Sequence, residues 1–265
     1  MTQAHTPRLG VLDWGIGGMG IVRALRARAP GVPVLYLSDT GAVPYGKLPR
    51  AALAARVGQA CRWLVGQGAV GVIVGCNAAS TVLDEVARLG VPLTGVIAPA
   101  IGRVPRGFAG TIGIIGGART IRSGLYRRGL AGPRRRVLSR IAQPLSAHIE
   151  RGTATSERCA RDLDRILRPL REVDLLVLAC THYPSIADAI SARTPGATLL
   201  DPCDALVAHV ARTFPRPAPG TDRMTTTGDP RAMRQATLRA WSFDPGPCLA
   251  ARVEPRESSQ AVRTR

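Results

Sequence analysis

Residues 72–80 read Val-Ile-Val-Gly-Cys76-Asn77-Ala78-Ala79-Ser80, and residues 176–184 read Leu-Val-Leu-Ala-Cys180-Thr181-His182-Tyr183-Pro184. Each stretch is an apolar run, then a small residue, a cysteine and a side chain that can hydrogen-bond. Short apolar runs bounded by turn or helix-start signals suit parallel strands buried on both faces. In open α/β sheets ligands bind outside the carboxyl ends of such strands. The two stretches therefore place a thiol at the same functional edge in each half of the chain.

Working outward, strand and helix patterns alternate along the sequence. Leu9–Leu12 reads as a strand, the glycine-rich turn Asp13-Trp14-Gly15-Ile16-Gly17-Gly18 follows, and residues 19–28 read as a helix. A strand at 34–37, an amphipathic helix at 49–67, a strand at 70–74, a helix at 79–89 and a strand near 92–97 are expected next. The pattern then restarts, with a strand at 111–115, a helix at 120–130 and a strand near 136–141. Helices at about 145–151 and 155–169 lead to the second cysteine strand at 175–178. A helix at 184–192, a strand at 197–200 and a helix at 203–214 follow. Residues 215–220 read as a linker, and 225–230 as a short strand running into a helix capped by Asp229. Alternating β and α elements predict parallel sheets covered by helices. The fold class is α/β, with two similar lobes and the pocket in the cleft between them. The first lobe is expected over 1–97 plus about 208–243, the second over 98–207, and 244–265 as a poorly ordered tail.

Composition narrows the function classes. The chain has 265 residues and no apolar run of the length a membrane span needs. Its first residues lack the apolar core of an export signal, so a cytoplasmic location is expected. The six cysteines show no CxxC pair, and their spacing fits no zinc site. The formal net charge of +18 invites a nucleic-acid reading. It is discounted because Lys47 is the only lysine, and the arginines have no interleaved aromatic residues to form a stacking platform. The expected partner is a small molecule.

The strand ends carry the chemistry. Asp13 enters a G-x-G-G turn that lacks both the GxGxxG and the Gly-Lys-Ser/Thr forms. The better reading is a turn that lets backbone N–H groups approach an anionic ligand. Pro44-Tyr45-Gly46 is a tight turn with an aromatic hydroxyl, and Asp39-Thr40 ends another strand that could face the same cleft. Cys76 and Cys180 both precede expected helices, whose dipoles would favour thiolates, and His182 adds a second such influence on Cys180. Two thiols facing one pocket can take a proton from one face of a carbon and return one to the other.

The ordered motifs Asp13-x-Gly-x-Gly-Gly, Asp39-Thr-x3-Pro44-Tyr45-Gly46, Gly75-Cys76-Asn77 and Cys180-Thr181-His182-Tyr183-Pro184 resemble the glutamate racemases, of the cofactor-independent Asp/Glu racemase superfamily. The resemblance runs from Leu9 to about Arg239. It takes in Thr120-Ile-Arg-Ser-Gly-x-Tyr126, Pro144-Leu145 with Glu150, and Thr227-Gly-Asp-Pro230. It implies racemisation of glutamate by two cysteines without a cofactor, in the service of peptidoglycan synthesis, and it allows a homodimer. By position, Cys76 would act on one face with Asp13 assisting, and Cys180 on the other with His182 and Glu150 assisting. Trp14, Pro44, Tyr45, Gly46, Asn77, Ala78 and Thr181 would line or hold the substrate, and no metal is implied.

Three positions depart from the family pattern. Trp14 stands where a serine is usual, Ala78 where a threonine is usual, and Gly117 replaces the threonine of a Gly-Thr pair. Ala98 also replaces a frequent glutamate. Loss of hydrogen-bonding groups can relax or redirect discrimination between substrates. The proton-transfer groups are thus intact while the substrate-holding shell is altered. A related racemase or isomerase acting on another amino acid or carboxylate is the alternative expectation.

Overall fold

The computed structural model describes residues 6–254. The chain runs β1 (Arg8–Asp13), α1 (Met19–Arg28), β2 (Val34–Ser38), α2 (Arg50–Gly66), β3 (Ala69–Val74), β4 (Leu93–Gly95) and α3 (Ile97–Arg103). It continues with β5 (Gly110–Gly116), α4 (Ala118–Ser123), α5 (Leu125–Leu130), β6 (Arg135–Ile141), α6 (Gln143–Arg151), α7 (Glu157–Leu167) and β7 (Leu175–Ala179). Then come α8 (Ala187–Ser191), β8 (Thr198–Leu200), α9 (Pro202–Thr213), β9 (Arg223–Thr226), α10 (Pro230–Trp241) and β10 (Cys248–Ala250).

The strands form two sheets, ordered β10-β9-β2-β1-β3-β4 and β6-β5-β7-β8. Every strand pair in both is parallel. The segment β2-β1-β3-β4 has the same connectivity as β6-β5-β7-β8, so the restart read from the sequence is a repeated topology. In each repeat the strand order reverses between the first and third strands, β1 and β3 in one and β5 and β7 in the other. That reversal opens a crevice at the carboxyl ends. Asp13 and Cys76 flank the first crevice, and Gly117 and Cys180 the second.

Burial follows from this arrangement. Val72, Ile73 and Val74 of β3 are fully buried, as is Leu176 of β7, because helices cover both sheet faces. One apolar cluster contains Val11 and Ile73 of the larger sheet together with Ile114 and Val177 of the smaller. Helix α9 packs on both α1 and α3 and closes this shared core. A second cluster joins Leu12, Leu35 and Leu37 to Leu53 and Val57 of α2 on the opposite face. Asp229 caps α10 as expected, accepting from the Arg231 amide at 2.7 Å.

Several elements differ from the sequence reading. The helix expected at 79–89 is a 3-10 turn, Ala79–Glu85, and the one expected at 184–192 begins as another, Tyr183–Ile186. Each cysteine is therefore followed by a tight turn rather than by a long α-helix with a full dipole. The helix expected at 120–130 breaks at Gly124, whose φ of +68° ends α4 and starts α5. The strand expected near 92–97 stops at Gly95, and Ile97 already begins α3. The segment read as a poorly ordered tail contains β10, which pairs in parallel with β9 from Cys248 to Ala250. Its alternation was hidden by the surrounding prolines and charges. The rest of that expectation, from residue 255 onward, lies outside the described residues.

Candidate active site

The first lobe reaches the cleft through the turn after β1. Gly15 and Gly17 are required there by close approach. A Cβ on Gly15 would lie 1.9 Å from Glu150 Oε1, and one on Gly17 would lie 2.3 Å from Thr181 Oγ1 and 2.7 Å from His182 Nδ1. The turn is pinned from three sides. Tyr36 donates its hydroxyl to the Gly15 carbonyl at 2.5 Å, the Trp241 indole donates to the Ile16 carbonyl at 3.0 Å, and the Ile16 amide donates to Glu150 Oε1 at 2.9 Å. The anion held by this turn is thus the protein's own Glu150 carboxylate. The sequence reading expected an anionic ligand here; the carboxylate that the turn holds is a side chain of the other lobe.

Asp13 ends β1 and is buried. It accepts from Thr181 Oγ1 across the cleft at 2.8 Å and from its neighbour's amide, Trp14 N, at 2.7 Å. Burial pushes its carboxyl above the usual range, against the lowering effects of the His182 charge and these hydrogen bonds. Burial and then the Asp13 charge drive the Cys76 thiol well above its ordinary value, while the amides of Ala79 and Ala78 pull the other way. Local amides therefore do for Cys76 what a helix dipole was expected to do, and burial outweighs them.

The second lobe presents a different set. His182 Nδ1 lies 3.7 Å from Cys180 Sγ, and its Nε2 lies 2.6 Å from Glu150 Oε1. Burial alone would lower the His182 pKa, but the sulfur and the carboxylate outweigh it, and the ring is held well above its usual value. Burial likewise opposes ionisation of Glu150, but the His182 bond and charge, with the Ile16 amide, take its carboxyl below the ordinary range. The pair is an imidazolium carboxylate aligned on the Cys180 sulfur.

A cavity of about 470 Å³ lies between the lobes. Asp13, Cys76, Cys180, Glu150, Thr181 and His182 all line it. So do Trp14, Pro44, Tyr45, Gly46, Asn77 and Ala78, together with Gly117. The structure therefore gathers the expected catalytic and substrate-holding residues around one cavity, and leaves out Asp39 and Thr40. Two refinements follow. The Tyr45 hydroxyl is already committed, donating to Asp39 Oδ2 at 2.7 Å. Asp39 is fully buried behind the cavity wall rather than facing the cleft, and takes Arg56 Nε at 2.7 Å as well. Trp14 donates its indole N–H to the Ala42 carbonyl at 3.1 Å, so its ring contributes surface and not a donor.

Other lining residues were missed, among them Lys47, Arg119 and Gln143. Gln143 Oε1 accepts from the Ala118 amide at 3.1 Å and lies 3.0 Å from where a Cβ on Gly117 would sit. The glutamine thus fills the place beside Gly117 where the side chain is lost. Asn77 Oδ1 accepts from the Tyr126 hydroxyl at 2.8 Å, while its Nδ2 is buried with no partner. The amide is fixed by its oxygen, and its nitrogen is buried in a residue that lines the cavity. The Thr120 to Tyr126 motif was visible in the sequence, but the Tyr126–Asn77 bond joins residues far apart in the chain.

Two strand-end thiols from opposite lobes line one cavity with separate acid–base neighbours, an arrangement suited to a proton-moving isomerase. The chain belongs to the Asp/Glu/Hydantoin racemase family, whose pattern matches residues 19–210. It is 36% identical over 220 residues to the glutamate racemase of Ralstonia nicotianae, covering 80% of this chain and 79% of that one. It is 33% identical over 249 residues to the glutamate racemase of Cupriavidus pinatubonensis, covering 89% and 92%. Among solved structures, glutamate racemase from Thermus thermophilus in complex with beta-chloro-D-alanine superposes with a TM-score of 0.81 at 30% identity, covering 92% of this chain and 96% of that one.

Proposed function

We propose that the chain interconverts L- and D-glutamate by passing the α-proton between two thiols without a cofactor. The observation that carries this reading is the facing of Cys76 and Cys180 across one cavity, each at a strand end of a different lobe. A base on one face of a carbon and an acid on the other invert the centre in a single passage.

The two sulfurs have unlike surroundings, and these assign their resting roles. An imidazolium stabilises a neighbouring thiolate, so Cys180 beside His182 is the base. Cys76, held neutral by burial and Asp13, is the acid. In that direction the Cys180 thiolate takes the α-proton, and the C–H electron pair moves onto the α-carbon and its carboxylate. The Cys76 thiol then delivers its proton to the opposite face, leaving Cys180 as thiol and Cys76 as thiolate. Asp13 takes part by accepting the Cys76 thiol proton, which frees the thiolate that the reverse direction requires, and by returning that proton for the forward one. The unpartnered Asn77 Nδ2 is a donor for the charge that builds on the carboxylate. Water is kept from the carbanion by the walls of Trp14, Tyr45 and Pro44.

This reading puts the enzyme in the cytoplasm, making D-glutamate for peptidoglycan. It is supported by the relatives named glutamate racemase over most of their length. A second reading, a racemase for another amino acid, is favoured by the apolar surfaces at Trp14, Ala78 and Gly117. The test is α-proton exchange in D₂O, followed by proton NMR, with L- and D-glutamate supplied separately. Exchange of both enantiomers is expected. A folded protein with reduced thiols that leaves both untouched, yet exchanges another amino acid, would hand the case to the second reading.

A further inference from the structure

The cavity contains a cation that neither proton transfer nor the fold explains. Arg119 is the second residue of α4, two positions beyond Gly117, and it lines the same wall. It is half-buried. Its Nη2 donates to the Leu48 carbonyl, which belongs to the loop after Tyr45 and Gly46 in the first lobe. Its Nε is buried and has no partner. The two carboxylates of the cavity are both taken. Asp13 is bound by Thr181 and the Trp14 amide, and Glu150 by His182 and the Ile16 amide. The guanidinium therefore spans the cleft, anchored at one nitrogen, with a buried N–H and a positive charge that no side chain of the cavity neutralises.

Burying a guanidinium without an anion is unfavourable unless a ligand supplies one. A planar fork of N–H groups matches a carboxylate better than any other side chain does. The α-carboxylate of an amino acid held between the thiols has its own donor in Asn77 Nδ2. A further donor on the α4 side, and a charged one, is in excess for a neutral amino acid and fits one with a second carboxylate.

We infer that Arg119 receives the side-chain carboxylate of a dicarboxylic amino acid, and so supplies by charge the recognition that Trp14, Ala78 and Gly117 no longer supply by hydroxyls. The inference rests on the racemase reading for its choice of ligand. It turns the altered shell into a different solution to the same substrate problem, with a guanidinium in place of several neutral donors, in a lining that also holds Lys47 and Arg151.

The test compares glutamate with glutamine, which has the same shape without the charge, in wild type, Arg119→Gln and Arg119→Lys. Two readouts are taken: α-proton exchange kinetics, and calorimetric binding of D-glutamate and of glutarate. Arg119→Gln is expected to lose roughly 100-fold in kcat/KM for glutamate, mostly through KM. Its value for glutamine should change by less than about threefold, because only the charged pair has been removed. The lysine variant should recover part of the loss. Equal losses for glutamate and glutamine, with a lowered Tm, would mean that Arg119 is only a strap between the lobes and would overturn the inference. Unchanged binding of D-glutamate and glutarate in Arg119→Gln would overturn it as well, as would a wild type that binds neither. A wild type that binds both in an Arg119-dependent way but exchanges no α-proton would leave Arg119 as the carboxylate site and refute the racemase reading alone.

Discussion

His182 sits between a sulfur and a carboxylate, and its protonation links the two. Glu150 keeps the proton on the ring, and the charged ring lies beside Cys180, the base of the proposed mechanism. Replacing Glu150 by glutamine removes the negative charge while keeping a similar shape. His182 then loses its proton at lower pH, because its raised pKa depends in part on that carboxylate. The alkaline limb of the pH–rate profile should move to lower pH, and the rate near neutrality should fall by about tenfold or more. An unchanged limb would show that Glu150 only buttresses the turn at Ile16. At this scale the sequence was informative about which groups react and poor about which groups hold them. Cysteine, aspartate and histidine at strand ends announce their chemistry. Arg119 and Gln143 do not, because an arginine or glutamine in a short polar helix looks like any solvated residue until the first lobe is set against it.

Among the elements, the turn after β1 carries the most constraint. Its glycines leave room for Glu150, Thr181 and His182 of the other lobe, and it is tied by Tyr36, by Trp241 and, through the Ile16 amide, by Glu150. A methyl group at position 17 would press on Thr181 Oγ1 and His182 Nδ1. Gly17→Ala should therefore displace His182, the neighbour of Cys180, rather than unfold the chain. A loss of roughly 100-fold in kcat/KM is expected, with the far-ultraviolet circular dichroism retained. Full activity would mean that the lobes part easily to make space. The strands and long helices were readable because apolar runs and helical spacing persist through them. The segments after each cysteine were not, since 3-10 turns and α-helices share their first-turn residues. Strand β10 was hidden for a different reason: its pairing with β9 is a long-range event, and nothing local in Cys248–Ala250 outweighs the prolines around it.

For the whole molecule, the repeated connectivity explains why two cysteines face each other. Each repeat brings its third strand beside its first and opens a crevice at the carboxyl ends. A shared apolar core, closed by α9 against α1 and α3, sets the two crevices mouth to mouth. The sequence revealed the repeat through its paired cysteine strands. It was silent on the cross-cleft bonds, Thr181 to Asp13 and Ile16 to Glu150, because each depends on how the lobes meet. Those bonds also make the site asymmetric, with a carboxylate beside one thiol and an imidazolium beside the other. The central claim is that inversion needs both sulfurs, one on each face. The most direct measurement is the racemisation of each glutamate enantiomer by Cys76→Ser and by Cys180→Ser, with folding checked by circular dichroism. Loss of racemisation in both variants, in both directions, is the expected result. A single-serine variant that racemises glutamate at the wild-type rate would contradict the account.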